Sequence, residues 1–163
     1  MTAEGWEQEL GKLLEGLPVM VEKLSAAREQ ILSTSVMIAE IPSPTFGEDK
    51  RIRFALDRFR ENGLEEAGID EHGNASALIA GSKSENAILL MAHADTVFDA
   101  DTPHVAQVGP DTISGPGIAD NSIGLATVIS LPRILETLDL QLKDDLLLLA
   151  NVQSLGRGNL NGS

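Results

Sequence analysis

Cysteine is absent from the 163 residues. That excludes a disulfide framework and any thiolate metal site. Positive charge is scarce: 12 lysines and arginines face 25 aspartates and glutamates, a formal net charge of -13. Phosphate-rich partners would be repelled, so neither nucleic acid nor an anionic membrane surface is an expected partner. Long apolar runs are missing too. The longest, AILLMA at 87–92 and LLLLA at 146–150, fall far short of the roughly 20 residues that cross a bilayer. The opening residues, MTAEGWEQEL, lack the basic start and apolar centre of a signal peptide. No internal repeat and no linker is visible. The expectation is a soluble, cytoplasmic protein.

What is present suits one domain with a true core, since 42 % of the residues are hydrophobic. Two helical stretches are predicted first. WEQELGKLL is short. In VEKLSAAREQILSTSVMIAEI, residues Leu24, Ile31 and Ile38 stand seven apart, with Ala27 and Met37 filling the stripe. Pro42 and Pro44 break the chain. Thr45 and Glu48 then make a capping-box pattern, opening a helix that buries Ile52, Ala55, Leu56 and Phe59 and stops at Gly63. Two short strands follow around EHGN, turned at Gly73 and Asn74. NAILLMAHAD is apolar on both faces, the pattern of a central strand covered by helices. A small hairpin turns at Gly109 and Pro110, and a helical stretch with Pro132 inside it, where a kink or a break into two helices is expected, leads to a second buried strand, DDLLLLANV. Alternating helix and strand predict an α/β fold of three layers, α/β/α, with a mostly parallel sheet.

Two places concentrate polar residues. At the end of the first apolar strand, His93 and Asp95 are two apart and share one side of an extended chain. A metal-bound histidine gives its other ring N–H to a carboxylate or carbonyl, and H-x-D can supply such a pair. A plain capped strand end fits the same residues. In SGPGIADNSIGLA, Gly115 and Gly117 precede Asp120 and Asn121 at a helix start. A carboxylate there is favoured by the helix dipole, and both residues are also favoured helix caps. A nucleotide-loop reading is weaker: the pattern is Gly-x-Gly-x-x-Asp, with an acid where a dinucleotide fingerprint needs a small residue, and it would repel phosphate.

Taken together, IPSPTFGE, LLMAHADTVF, GPGIADNSIGLA and LLLLANVQSLGRGNLNG resemble, in order and spacing, the zinc aminoacylase and carboxypeptidase family. That family includes glutamate carboxypeptidase, acetylornithine deacetylase and the bacterial tripeptidases. The resemblance runs from Val36 to Gly162. It implies hydrolysis of a small peptide or an N-acyl amino acid with two zinc ions, or another divalent metal. It implies that His93 ligates one metal, that Asp95 is a catalytic-site residue orienting its ring, and that Asp120 bridges both ions. It also implies a cis peptide bond between Asp120 and Asn121. In such a mechanism the metals acidify a water and a glutamate moves its proton.

The sequence departs from the family at one segment. Where the family has an adjacent glutamate pair, as in NVGEEGLGDLRG, this chain has NVQSLGRGNLNG, with Ser154 and Leu155 at the paired positions. The expectation is an N-terminal segment, 1–163, of a catalytic domain, without the lid domain and the C-terminal half. His104, Asp99 and Asp101 are further candidates to approach the site. Three readings stay open: a hydrolase of variant mechanism, a non-catalytic relative or fragment acting as a binding module, and a generic α/β module with the glycine-rich tail as a phosphate loop. The missing half leads to a further expectation, an uncovered sheet edge open to a second copy of the chain.

Overall fold

The computed structural model describes residues 3–64 and 66–162. Helix α1, Ala3–Ala39, merges the two predicted helical stretches into one and carries Pro18 within it. Its last third packs chiefly on a later helix, with Ala27, Thr34, Ser35, Ile38 and Ala39 buried. Met37, expected in that stripe, is exposed. Helix α2, Asp49–Glu61, buries Ile52, Ala55, Leu56 and Phe59 as the spacing predicts, and it ends at Gly63 with φ +83°. The predicted capping box does not form: Glu48 stands at the N-cap without a side-chain cap bond.

Strands β1 (Gly68–Ile69) and β2 (Ala75–Ile79) form the expected hairpin around Gly73. Asp70 ties its turn, accepting hydrogen bonds from the N–H groups of His72 and Asn74 and from Asn74 Nδ2. Burial raises the Asp70 carboxyl, but the bonds from Asn74 and His72 outweigh it and hold the pKa below its ordinary value. Strand β3 (Ala87–His93) follows, then the small hairpin of β4 (Gln107–Val108) and β5 (Ile113–Ser114). A turn over Ile118–Ser122 leads into α3, Ile123–Leu138, which runs through Pro132 without interruption. Strand β6 is Asp145–Asn151.

The α/β fold class is as expected, and the sheet within it is mixed. Its order is β1-β2-β6-β3, with β6 and β3 parallel and the other two pairs antiparallel. The register sets Ala77, Leu148 and Leu90 side by side, and likewise Ala75, Ala150 and Ala92. Except for Leu90, which is exposed, those sheet residues share one core with Ile38 of α1, Ile52 and Phe59 of α2, and Leu125 and Ile129 of α3. All three helices therefore cover one face, and the described residues supply the sheet and one helical layer. The opposite face presents Leu78, Leu89 and Met91, all exposed.

One expectation needs correction. AILLMA is not a central strand, because β6 occupies the middle of the sheet and β3 lies at its edge. Of its residues only Ala92 is buried, while Ile88 is 61 % and Leu89 is 52 % exposed. Apolar residues on both faces signal a strand suited to burial. They do not say whether the covering layer is within the same described residues. The unequal burial makes a testable contrast. Leu148→Ala, at 0 % exposure, should cost about 2–5 kcal/mol in urea unfolding. Leu89→Ala should cost about 1 kcal/mol or less. Equal losses would show that something covers β3 in solution.

Candidate metal centre

The carboxyl end of β3 meets three other segments. The 43–46 bend runs alongside it, with Thr96 N–H donating to the Ser43 carbonyl at 2.8 Å. The segment after β6 crosses it, with Ala94 N–H donating to the Asn151 carbonyl at 2.8 Å. The turn before α3 faces it. Gly117 opens that turn in the left-handed region at φ +69°, and a Cβ there would stand 2.8 Å from Thr96 Cγ2. Only glycine lets the turn lie this close, which brings Asp120 over the strand end. The Asp120–Asn121 peptide bond is cis, the form that the resemblance implies.

His93 and Asp120 come together. The ring is 19 % exposed and the Asp120 side chain 69 %. His93 Nδ1 lies 3.0 Å from the Asp95 carbonyl. A carbonyl only accepts, so Nδ1 carries a proton and Nε2 of a neutral ring carries a lone pair. That Nε2 lies 3.0 Å from Asp120 Oδ1, which offers lone pairs of its own. A second ring proton or a cation between the two atoms resolves this opposition. Two donors on one tetrahedral ion with bonds of the usual zinc length stand about 3.3 Å apart, so the pair fits one edge of a metal's shell. A third side-chain donor is not placed with them: among the described residues no group of three histidine, cysteine, aspartate or glutamate side chains could hold a metal. The described residues therefore do not by themselves assemble the three or more protein ligands of a full zinc site.

Asp95 has a different environment. Its side chain is wholly buried. Oδ2 accepts from Thr45 Oγ1 at 2.9 Å and from Leu155 N–H at 2.8 Å, and Oδ1 accepts from Ser154 N–H at 3.2 Å. It reaches the histidine ring mainly through its backbone, with Oδ1 standing 3.5 Å from Nδ1. Beneath it lies Arg51, a buried cation that donates from Nε to the Ile41 carbonyl and from Nη1 to the Ala94 carbonyl. Burial pushes the Arg51 guanidinium down to about 10, and the charge of Asp95 partly restores it. Arg51 was not anticipated. The available signal was its position: it sits four residues before Ala55 on the apolar stripe of α2, where a charge is out of place.

The expected cap residues are used here instead. Thr45 binds the Asp95 carboxylate, and buried Glu48 accepts the Gln153 N–H at 3.0 Å. Ser154 Oγ is bonded to Asn151 Nδ2. The other candidates lie elsewhere. His104 is bonded through Nε2 to the Asp99 carbonyl of its own loop at 3.2 Å, and Asp99 and Asp101 are exposed.

The two acids should respond oppositely to truncation. Asp95→Ala removes the acceptor of three donors and strips Arg51 of its compensating charge. Such a loss at a buried charge should cost about 3–5 kcal/mol. Asp120→Ala, at an exposed side chain, should change stability by about 0.5 kcal/mol. Urea unfolding of both variants decides this; a cheap Asp95→Ala would remove that carboxylate from its structural role.

Comparisons with known proteins bear on the fold that carries this site. The family model described as Peptidase family M28 matches residues 74–153. No curated protein matches the chain in sequence. Among solved structures, a tripeptidase from Staphylococcus aureus subsp. aureus mu50 is 20 % identical with a TM-score of 0.62; the match covers 76 % of this chain and 36 % of that one. Human carnosine dipeptidase 1 is 12 % identical with a TM-score of 0.68, covering 80 % and 33 %. A dinuclear metal binding peptidase of the M20 family from Bacillus subtilis is 17 % identical with a TM-score of 0.56, covering 85 % and 41 %. At these identities the likeness is one of fold, and this chain spans well under half of each of those three peptidases. The four motifs, the family match and the shared fold point the same way: the chain is similar in fold to part of these peptidases, and its residues 74–153 match the peptidase family model.

Proposed function

We propose that this chain keeps the scaffold of a peptidase site and does not hydrolyse peptide bonds by itself. The observation that carries the reading is the pair Ser154 and Leu155, at positions where the resembling family has two glutamates. A serine hydroxyl bonded to Asn151 is no general base, and leucine offers no metal ligand. His93 and Asp120 are the two proposed metal ligands, and Asp95 holds the loop and the ring beside them. Two donors can loosely hold zinc or another divalent ion. The chemistry such an ion would supply, acidifying a water and polarising a carbonyl, has no proton acceptor at the position the family uses.

The ligand class that suits this scaffold is a small peptide or an N-acyl amino acid, the class to which the names of the similar peptidases point. A binding role without chemistry draws on a second observation. Next to Asp95 is a shallow cavity of about 370 Å³ bordered by Phe46, Val97, Phe98, Leu155 and Arg157. Its apolar walls carry one cation, Arg157, and one acid, Asp99, which suit the two charged ends and the side chain of a small peptide. No helix among the described residues is long and apolar enough to cross a membrane; a cytoplasmic location remains part of this proposal.

Titration calorimetry of the whole chain with zinc should show weak or absent binding, and no tripeptide or N-acetyl amino acid should be cleaved in its presence. Leu155→Glu, which returns one carboxylate to the segment, should tighten zinc binding. Two tight zinc sites in the unaltered chain, or turnover of either substrate, would overturn the reading.

A further inference from the structure

Helix α1 carries a feature that the peptidase scaffold does not use. Trp6, Leu10, Leu13, Leu17, Met20 and Leu24 alternate at spacings of four and three. The same alternation continues through Ala27, Ile31, Thr34 and Ile38. A strict seven-residue repeat held this long is the spacing of a left-handed coiled-coil seam, which straight helices against a globular core do not require. The later positions are occupied: Ala27, Thr34 and Ile38 are buried where α1 packs on α3. The earlier ones are open. Trp6, Leu10, Leu13, Leu17 and Leu24 are 40–52 % exposed, although one face gathers them all. Pro18 follows a seam residue and points away from the seam, so its missing N–H does not interrupt the stripe.

We propose that residues 6–24 of α1 pair with the same segment of a second copy of this chain, as an antiparallel two-helix coiled coil. Three observations select this occupant. The seam repeats in the register that knobs-into-holes packing against another helix needs, and it runs continuously from an interface the fold already makes. Pairing the stripe with its mate would bury on the order of 1,000 Å² in total, the size at which a specific interface begins. Charge decides the direction. The start of the segment is acidic, with acids at 4, 7 and 9 against Lys12, while its far end is neutral, with Glu22 beside Lys23. An antiparallel pair centred near residue 15 keeps the two acidic starts apart, lays each along the neutral end of the other copy, and opposes the helix dipoles favourably. A parallel pair would set Lys23 against Arg28 of the second copy, like against like. A membrane surface is the poorer occupant, because the outer face carries Glu15 and Glu22 and the chain's net charge is -13.

Sedimentation velocity of the whole chain across a concentration series tests the pairing. The expected result is a concentration-dependent dimer that Leu13→Glu with Leu17→Glu converts to monomer, while circular dichroism and the urea midpoint of the globular part stay unchanged. Direction is read separately. The chain has no cysteine of its own, so Leu10→Cys and Met20→Cys chains can be oxidised alone and mixed. An antiparallel seam links them in the mixture and neither alone. A monomer at every concentration overturns the proposal, as does a dimer that survives the double substitution and so uses the β3 edge. Self-linking of the Leu10→Cys chain alone overturns the antiparallel arrangement, and sedimentation with phosphatidylserine vesicles in place of dimer formation overturns the choice of partner. None of these results depends on zinc binding or hydrolysis.

Discussion

A single carboxylate without solvent contact joins the separate pieces of this fold. Asp95 follows the end of β3, accepts the hydroxyl of Thr45 from the bend before α2, and accepts the N–H groups of Ser154 and Leu155 from the segment after β6. Arg51 of α2 lies below and supplies the opposite charge. An ionised acid taken out of water is expensive unless such partners are in place. The partners come from three stretches up to 110 residues apart in the chain. Their meeting therefore fixes how β3, β6 and the entry to α2 are arranged. Glu48 repeats the device on a smaller scale, binding the N–H of Gln153.

This arrangement explains how the scaffold and the chemistry can separate. The groups that Asp95 grips at 154 and 155 are main-chain amides. Exchanging two glutamates for serine and leucine leaves those amides where they are. On the proposed reading, the same exchange takes a base and a metal ligand from the side-chain positions. The turn that carries Asp120 is likewise set by backbone, through Gly117 pressed on Thr96, so His93 and Asp120 meet whether or not other ligands join them. On the proposed reading, such a scaffold can persist while its ligand shell is incomplete.

The fold was legible where periodicity is local. The stripe of Ile52, Ala55, Leu56 and Phe59 set α2, Gly63 ended it, and Gly73 turned the β1–β2 hairpin. The order of the sheet was not legible. β3 and β6 have nearly the same apolar composition, and only pairing across distant sequence puts β6 inside and β3 at the edge. At the site, His93, Asp95 and Asp120 could be singled out because each lies at a strand end or helix start. The partners of Asp95 could not. Thr45 and Glu48 satisfy a local capping rule equally well, and the structure spends both on contacts 50 and 105 residues away. Arg51 was hidden in a helix whose other charges, Arg58 apart, are exposed. The long seam of α1 was visible in part, as the sevenfold spacing of Leu24, Ile31 and Ile38, but the run from Trp6 onward reads as a separate short helix until the structure joins them.

The central claim is that a peptidase scaffold stands here with an incomplete ligand shell. Diffraction from zinc-soaked crystals, recorded on both sides of the zinc absorption edge, tests it most directly. The account predicts no ion, or a partly occupied one touching only His93 and Asp120 of a given chain, with the Asp95 carboxylate still bound to the N–H groups of Ser154 and Leu155. A fully occupied zinc held by three or more side chains of one copy, or a pair of zinc ions bridged by Asp120, would contradict it.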